Sequence, residues 1–393
     1  MPTAAPRAKA VNVCLTHDPA LAGLYRAVND FALALDAPIV SFDDGCRDRA
    51  SLNAAEPCPV VRVPAGRAWF TRDCHIVSPS AAALAESTIA DAELLVVHSL
   101  FRGHALWAAG AARGRGLRFW AVPHGCLDPW GLSQRRWAKR AWLAACGTRY
   151  LAAADRVIFA TRREAEKARR WIPQGRGTVI HWPVELPEFA DRDSRRQRFR
   201  DRLAVRDADR LLLSVGRLHS MKRPLDTVAA FCAAAADDCH LAIVGMDGDI
   251  TAAQVEAAVP AAFRRRVHVV GSLAGAELAA AYLSADGFVS LSFRENFGYA
   301  VAEAIAHGLP VILSPGHDLA YEMPHCGENL ACGWLLPDDS RTAAEQAIKS
   351  FCRLSEAEAY TMGTSGAAWA RDKLSFERFR DELRALADNG CFA

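Results

Sequence analysis

The amino-acid sequence predicts an α/β protein of two domains, each built on a parallel sheet with helices on both faces. Three observations carry this. The chain has 393 residues, more than one ordinary domain holds. Short apolar β-like runs alternate with longer helical patterns, the order that parallel sheets require. The alternation occurs twice, interrupted by Pro173, Pro183, Pro187 and a charged stretch over 191–202. In the first half, strands are expected at 11–16, 38–42, 94–98, 118–122 and 156–160. Thr161-Arg-Arg-Glu164 has capping-box spacing and opens a polar helix to about Arg170. The second half restarts with strands at 211–215, 241–244, 267–270, 287–291 and 311–314. Leu374, Phe376, Phe379, Leu383 and Leu386 recur at helical spacing, in a last helix that can pack on either domain. The expected division is 1–185, 186–372 and a terminal segment 373–393 packing back on the N-terminal domain.

Composition narrows the function. Half the residues are hydrophobic, 51%, so both domains can bury large cores. Forty-seven basic against 45 acidic residues leave a formal charge of +2, with no global field for wrapping nucleic acid. Any anion site is therefore local. The 12 cysteines show no CxxC pair and no zinc-like spacing, and most sit in apolar settings such as Val13-Cys14-Leu15. Reduced core thiols in a cytoplasmic protein are the expectation. The N-terminal stretch leads into five apolar-leaning residues before His17 and Asp18, too few for a secretory core. No run approaches the roughly 18 apolar residues of a membrane span.

The most informative segment is 290–310, where Glu295 and Glu303 stand eight residues apart around Phe297-Gly298. The apolar run before it ends a strand, and Tyr299 to His307 form a helix closed by Gly308 and Pro310. Glu295 then lies in the loop and Glu303 inside the helix. Backbone N–H groups near Phe297 and Gly298 at the helix start favour an anion, which the missing side chain of Gly298 lets approach closely.

Taken in order, Ser214-Val-Gly216-Arg217-Leu with Lys222, Val269-Val-Gly271-Ser-Leu, and Glu295-Asn296-Phe297-Gly298 with Glu303-Ala-Ile-Ala-His-Gly308-Leu-Pro310-Val resemble the retaining GT-B glycosyltransferases of family four. Val122-Pro-His124-Gly125-Cys-Leu-Asp128-Pro129-Trp130 is similar to a Pro-x-Gly-x-Leu-x-Pro-Trp segment of bacterial members that build surface polysaccharides. The resemblance implies two Rossmann-like domains facing each other across a cleft. It places a UDP- or GDP-linked donor on the C-terminal domain and a glycan or lipid-linked acceptor on the N-terminal one. Arg217 and Lys222 supply cations for the diphosphate, a planar fork and a movable point charge. By resemblance, Glu303 holds the ribose hydroxyls and Glu295 contacts the transferred sugar near its C3 hydroxyl. Gly216, Asn296, Phe297 and Gly298 complete the donor site. In the first domain His124 is the candidate that approaches the sugar, with His98 as its rival. Gly23, in the loop after the first strand, lets backbone approach the phosphate or acceptor, or is an ordinary turn glycine.

Asp247-Gly-Asp249 has the metal-binding DxD form, but the same form recurs at 191–193 and 207–209, and the resemblance implies a metal-independent reaction. No metal and no cofactor beyond the donor substrate are expected. Basic and aromatic residues at 135–143 suit a helix lying on a membrane surface, or one packing its tryptophans inward. Retaining transfer to a glycan hydroxyl is the leading function. A sugar-nucleotide epimerase and a non-catalytic binding subunit of an assembly complex are the alternatives.

Overall fold

The computed structural model describes residues 9–43, 56–64, 66, 67, 75–77, 79–187 and 192–388. The N-terminal stretch 1–8 and Asp191 lie outside them. The chain forms two compact units, one running to Pro183 and taking in the segment from Phe376, the other spanning Val184–Ser375.

In the first unit seven strands, β1 (Ala10–Cys14), β2 (Ile39–Asp43), β3 (Val60–Pro64), β4 (Leu94–His98), β5 (Arg118–Val122), β6 (Arg156–Phe159) and β7 (Gly177–Val179), form one sheet in the order β3-β2-β1-β4-β5-β6-β7. Every pairing is parallel. Alternation divides the faces: Val11 and Val13 join Leu95, Val97, Phe119 and Ala121 in one core, while Cys14 packs oppositely with Val28, Ala32 and Ile39. β3 and β7 were not expected from the sequence. Both lie at sheet edges, and a three-residue strand or one interrupted by Arg62 gives too few apolar repeats to register.

The terminal helix Phe376–Asp388 packs in this first unit through a stripe of Phe379, Leu383 and Ala387. Phe379 meets Phe31 of the helix Gly23–Leu35 edge-on at 5.1 Å, and Arg384 Nε donates to the carbonyl of Ala34 at 2.8 Å. Thr161 caps the helix Arg162–Ala168 by accepting the N–H of Glu164 at 3.1 Å. The capping box stops halfway. Glu164 accepts instead from the N–H of Ala160 at 3.0 Å and of Gly125 at 2.7 Å, fastening the loop after β5 to the end of β6.

In the second unit β8 (Arg210–Val215), β9 (Cys239–Val244), β10 (Val267–Gly271), β11 (Gly287–Ser290), β12 (Val311–Leu313), β13 (His325–Cys326), β14 (Asn329–Leu330) and β15 (Gly333–Leu335) take the order β10-β9-β8-β11-β12-β15-β14-β13. Its inner pairings are parallel, and a short antiparallel meander closes one edge. Leu212, Leu241, Val289 and Ile312 meet Phe231, Ile348 and Phe351 in the core.

Both sheets reverse direction at an inner strand, β1 between β2 and β4, and β8 between β9 and β11. Ligands of open parallel sheets bind beyond the carboxyl ends of the strands at such reversals. The loops there carry Gly216 to Lys222 and Ser292 to Gly298 in one unit, and the end of β4 in the other.

Candidate active site

The second unit builds its site from two loops held backbone to backbone. Gly216 N–H donates to the carbonyl of Val244 at 2.9 Å. A Cβ on Gly245 would stand 1.9 Å from the Gly216 carbonyl oxygen, so this approach requires glycine. The chain then turns through the single 3-10 turn Ser220–Lys222. Asp249 fixes that turn, accepting from Ser220 N–H at 2.8 Å and Ser220 Oγ at 2.6 Å, and the serine hydroxyl holds its carboxyl below the usual range. Asp247 accepts from Ala252 N–H at 2.8 Å. The Asp-Gly-Asp stretch thus ties loops together, and one of its carboxylates sets the position of Lys222.

Lys222 Nζ forms an ion pair with Glu295 Oε2. Arg217, one loop residue beyond Gly216, is exposed and makes no ion pair or hydrogen bond among the described residues. Burial raises the Glu295 carboxyl, but the Lys222 ammonium, with His317 and Arg294, outweighs it and holds the group below its ordinary value. Glu295 is therefore ionised at neutral pH. Its backbone is pinned on both sides, N–H to Gly316 carbonyl and carbonyl to Asp318 N–H, each at 2.9 Å. His317, in that second loop, is buried and donates from Nε2 to the Ser290 carbonyl at 3.2 Å. Burial lowers its pKa to about 4, so it stays neutral.

Gly298 begins the helix Tyr299–Ala306 at φ 74°, and a Cβ there would press to 2.8 Å of Glu295 Cγ. The glycine thus serves the carboxylate as well as any ligand. The N–H groups of Phe297 and Gly298 enter no hydrogen bond among the described residues. Phe297 itself is buried against Tyr299, centroids 5.1 Å apart, so only its backbone is available to a ligand. Asn296 Oδ1 is buried and unpartnered among the described residues. Glu303, inside the helix, accepts from the Tyr282 hydroxyl at 2.9 Å, and Tyr282 stacks on His307 at 5.0 Å.

In the first unit His98 ends β4 and is fully buried. Its Nδ1 lies 2.9 Å from Nε2 of His124, which is partly exposed in the loop after β5. Burial pushes the His124 imidazole down to about 3. Burial likewise takes His98 well below its ordinary value, and His124, His104 and His17 add to the shift. Gly23 is not in the loop after β1 but opens the helix Gly23–Leu35, behind Ala22 at φ 42°. The 135–143 stretch is interrupted at its first residue: Arg135 is left-handed and the helix starts at Arg136. Trp142 turns inward, 5.0 Å from Phe101 and 6.1 Å from Tyr150. Trp137 stays 68% exposed under the guanidinium groups of Arg136 and Arg140.

Sequence reasoning missed His317, Arg294 and Tyr282, weighed Asp249 only as part of a metal-binding form, and read Glu164 only as a cap. His317 and Asp249 each follow a strand's carboxyl end in the second sheet, which is the signal that finds them once the strand order is known. Glu164 carried a visible pattern that pointed to a cap instead of to Gly125.

Both halves of the chain match glycosyltransferase families. Residues 195–363 match Glycosyl transferases group 1, and residues 13–183 match the Glycosyl transferase 4-like domain. Each match covers under half of the chain, and the two lie one after the other along it. The structure is similar to Anabaena Alr3699/HepE in complex with UDP and glucose, with a TM-score of 0.76 at 16% identity, covering 97% of this chain and 99% of that one, and the fold is GT-B. A GDP-mannose-dependent alpha-mannosyltransferase of Mycobacterium tuberculosis is 35% identical over 161 residues, 40% of this chain and 39% of that protein. A D-inositol 3-phosphate glycosyltransferase of Mycolicibacterium gilvum is 31% identical over 173 residues, 40% of this chain and 36% of that protein. The matches thus span under two-fifths of those curated relatives. No helix among the described residues is long and apolar enough to cross a membrane.

Proposed function

We propose that this protein is a retaining glycosyltransferase that moves a sugar from a UDP- or GDP-linked donor to a hydroxyl of a glycan or lipid-linked oligosaccharide, in the building of a surface polysaccharide. The observation that carries the reading is the Lys222–Glu295 pair beside an unpaired Arg217 and the open N–H groups at Phe297 and Gly298, all beyond the strand reversal of one sheet. Departure of a nucleoside diphosphate builds charge on its outer phosphate, and fixed cations and backbone donors stabilise that charge most in the transition state. Arg217 offers two oxygens a fork, and Lys222 a point charge. Glu303 accepts hydroxyls of the nucleoside, with Tyr282 fixing the carboxylate. Named activities of the relatives, GDP-mannose-dependent transfer among them, support a nucleotide-sugar donor.

Glu295 touches the transferred sugar as a hydrogen-bond acceptor, not as a base. A carboxylate held ionised by a neighbouring ammonium is a weak proton acceptor, so the leaving phosphate takes the proton of the attacking hydroxyl. No metal is needed in this scheme, because Arg217, Lys222 and the helix start supply the positive charge. The helix Arg136–Trp142, with Trp137 and its two arginines outward, lies against an anionic leaflet on the cytoplasmic side and serves a lipid-linked acceptor. The test is transfer from UDP- and GDP-sugars to glycan acceptors with chelator present. Unchanged transfer by both Glu295→Ala and Lys222→Ala would refute the site, and an altered sugar nucleotide without acceptor would replace transfer by epimerisation.

A further inference from the structure

The second unit carries a cavity of about 650 Å³ at the end of its sheet opposite to Lys222 and Glu295. Arg210 begins β8, Asp286 precedes β11 and Pro310 precedes β12, so these residues border it from the amino ends of the strands. One wall is the helix Glu356–Lys373, which turns Glu356, Tyr360, Thr364 and Arg371 to it from one face. The packing beneath is tight. A Cβ on Gly363 would stand 2.2 Å from the carbonyl oxygen of Gly308, just past the helix Tyr299–Ala306.

The lining selects a ligand that is extended and rich in hydroxyls. Among the described residues three arginines and four acidic residues border the cavity, so neither an anion nor a cation meets a field of one sign. A sugar chain satisfies both, because its hydroxyls donate to carboxylates and accept from guanidinium groups. Across from the long helix, Arg196 Nη2 pairs with Asp286 Oδ1 at 3.0 Å, which sets a donor and an acceptor in place beforehand. The side chains of Glu356, Tyr360 and Arg371 make no hydrogen bond or ion pair among the described residues. Tyr360 is 74% exposed and offers a flat ring to the C–H face of a pyranose. At 1.5 Å of rise per residue, Glu356 and Arg371 stand about 22 Å apart along the helix. That length suits several linked sugars better than one small metabolite.

Two of the lining residues also grip Glu303. The Tyr282 hydroxyl donates to its carboxylate at 2.9 Å, and His307 Nδ1 donates to its carbonyl at 2.8 Å. The two rings stack at 5.0 Å. We propose that the cavity is a second binding site, for an oligosaccharide, coupled through His307 and Tyr282 to Glu303. That Glu303 holds a nucleoside rests on the glycosyltransferase reading; the groove does not. A chain lying across His307 restrains both rings and orders the carboxylate before a nucleotide arrives, so each ligand tightens the other by the same factor.

The full chain is screened on an array of neutral and acidic oligosaccharides graded from monosaccharide to hexasaccharide, and the strongest binder is titrated by calorimetry. Affinity is expected to rise with length and to fall about tenfold in Tyr360→Ala and in Arg371→Ala, the worth of one good contact. UDP and GDP alone are expected to bind these two variants as they bind the native protein. Oligosaccharide affinity unchanged in both variants, or no binding anywhere on the array, overturns the groove; a monosaccharide bound as tightly as the longest chain overturns the extended ligand. With the oligosaccharide present, the nucleotide is expected to bind about fivefold tighter, and this gain is expected to vanish in Tyr282→Phe, which keeps the ring and removes the hydroxyl. Nucleotide affinity that ignores the oligosaccharide overturns the coupling. Failure to bind or use any nucleotide sugar, alongside oligosaccharide binding lost in Tyr360→Ala, refutes the enzyme reading and the coupling with it, and leaves the groove standing.

Discussion

The two units share one architecture and differ in the electrostatics of their strand-end sites. Beyond β8 and β11 the second unit places opposite charges, Lys222 against Glu295, with Arg217 exposed beside them. Beyond β4 and β5 the first unit places neutral rings, His98 and His124, with burial pushing both away from protonation. Parallel strands leave the same kind of crevice at their carboxyl ends, so topology alone predicts two ligand sites and says nothing of their ligands. The side chains make the distinction. A charged, donor-rich crevice suits an anion, whereas one edged by two uncharged imidazoles does not.

The largest test of this contrast is removal of charge from the second unit. Glu295→Ala and Lys222→Ala are each expected to lower kcat/KM by about 10²–10³, the loss on deleting one preorganised electrostatic group. Lys222→Ala also leaves the Glu295 carboxylate without its ammonium, so its pH profile rises toward the range of an unpaired, part-buried acid. Steady-state kinetics from pH 5 to 8 reads both effects. Equal losses from the two variants at every pH would break the assignment of distinct roles.

A second comparison sets the scaffold of the first unit against its rings. Glu164→Ala strips a buried carboxylate from two backbone donors, Ala160 and Gly125, and is expected to cost roughly 3 kcal/mol of stability. Chemical denaturation measures it. Glu164→Gln keeps one acceptor oxygen and is expected to recover part of the loss, while an unchanged midpoint in both variants would mean that Glu164 does not hold the His124 turn.

How much of this was legible in the sequence follows the same division. Glu295, Gly298, Arg217 and Lys222 stand out in the sequence by their residue types and spacing in the loops that follow two strands, and the structure brings Lys222 and Glu295 together there as an ion pair. The inner strands were visible because buried parallel strands read as uninterrupted apolar runs. The edges β3 and β7 were not, since edge strands bury little. His317, and the part Asp249 plays in holding Ser220, escaped because both depend on which strand neighbours which, and linear spacing does not encode strand order. Glu164 shows how a local rule misleads: Thr161-x-x-Glu164 satisfies the capping pattern, yet Gly125, far away in sequence, takes the carboxylate. The side on which His98 and His124 stand could not be read at all, because burial and not sequence position separates them.

Protonation sharpens the contrast at smaller scale. His317 has its pKa lowered to about 4 by burial, against about 6.5 when unfolded. Between these values the unfolded chain binds the extra proton, so stability is unaffected above that range and is lost as pH falls through it. Replacing His317 with Gln is expected to flatten the pH dependence by about 1.4 kcal/mol per pH unit across that window. Denaturation midpoints at pH 7, 6 and 5 measure the slope. An unchanged slope would mean that His317 is not held neutral beside Glu295.

The smallest effect concerns the outer face of the first unit, where a ring and two cations face solvent rather than a site. An exposed tryptophan under Arg136 and Arg140 keeps an apolar surface available while its neighbours favour negative charge. Trp142, five residues on, is turned inward on Phe101 and Tyr150, so the helix presents one tryptophan and not two. Binding to vesicles containing anionic lipid is therefore expected to weaken by several-fold in Trp137→Ala, and by about 1 kcal/mol for each arginine replaced by Ala. Trp142→Ala differs in kind: it empties a packed position and lowers thermal stability first. Sedimentation with vesicles of neutral and anionic composition separates the two. Equal binding to both compositions by the native protein would remove the membrane role from this helix and leave Trp137 as solvent-facing surface.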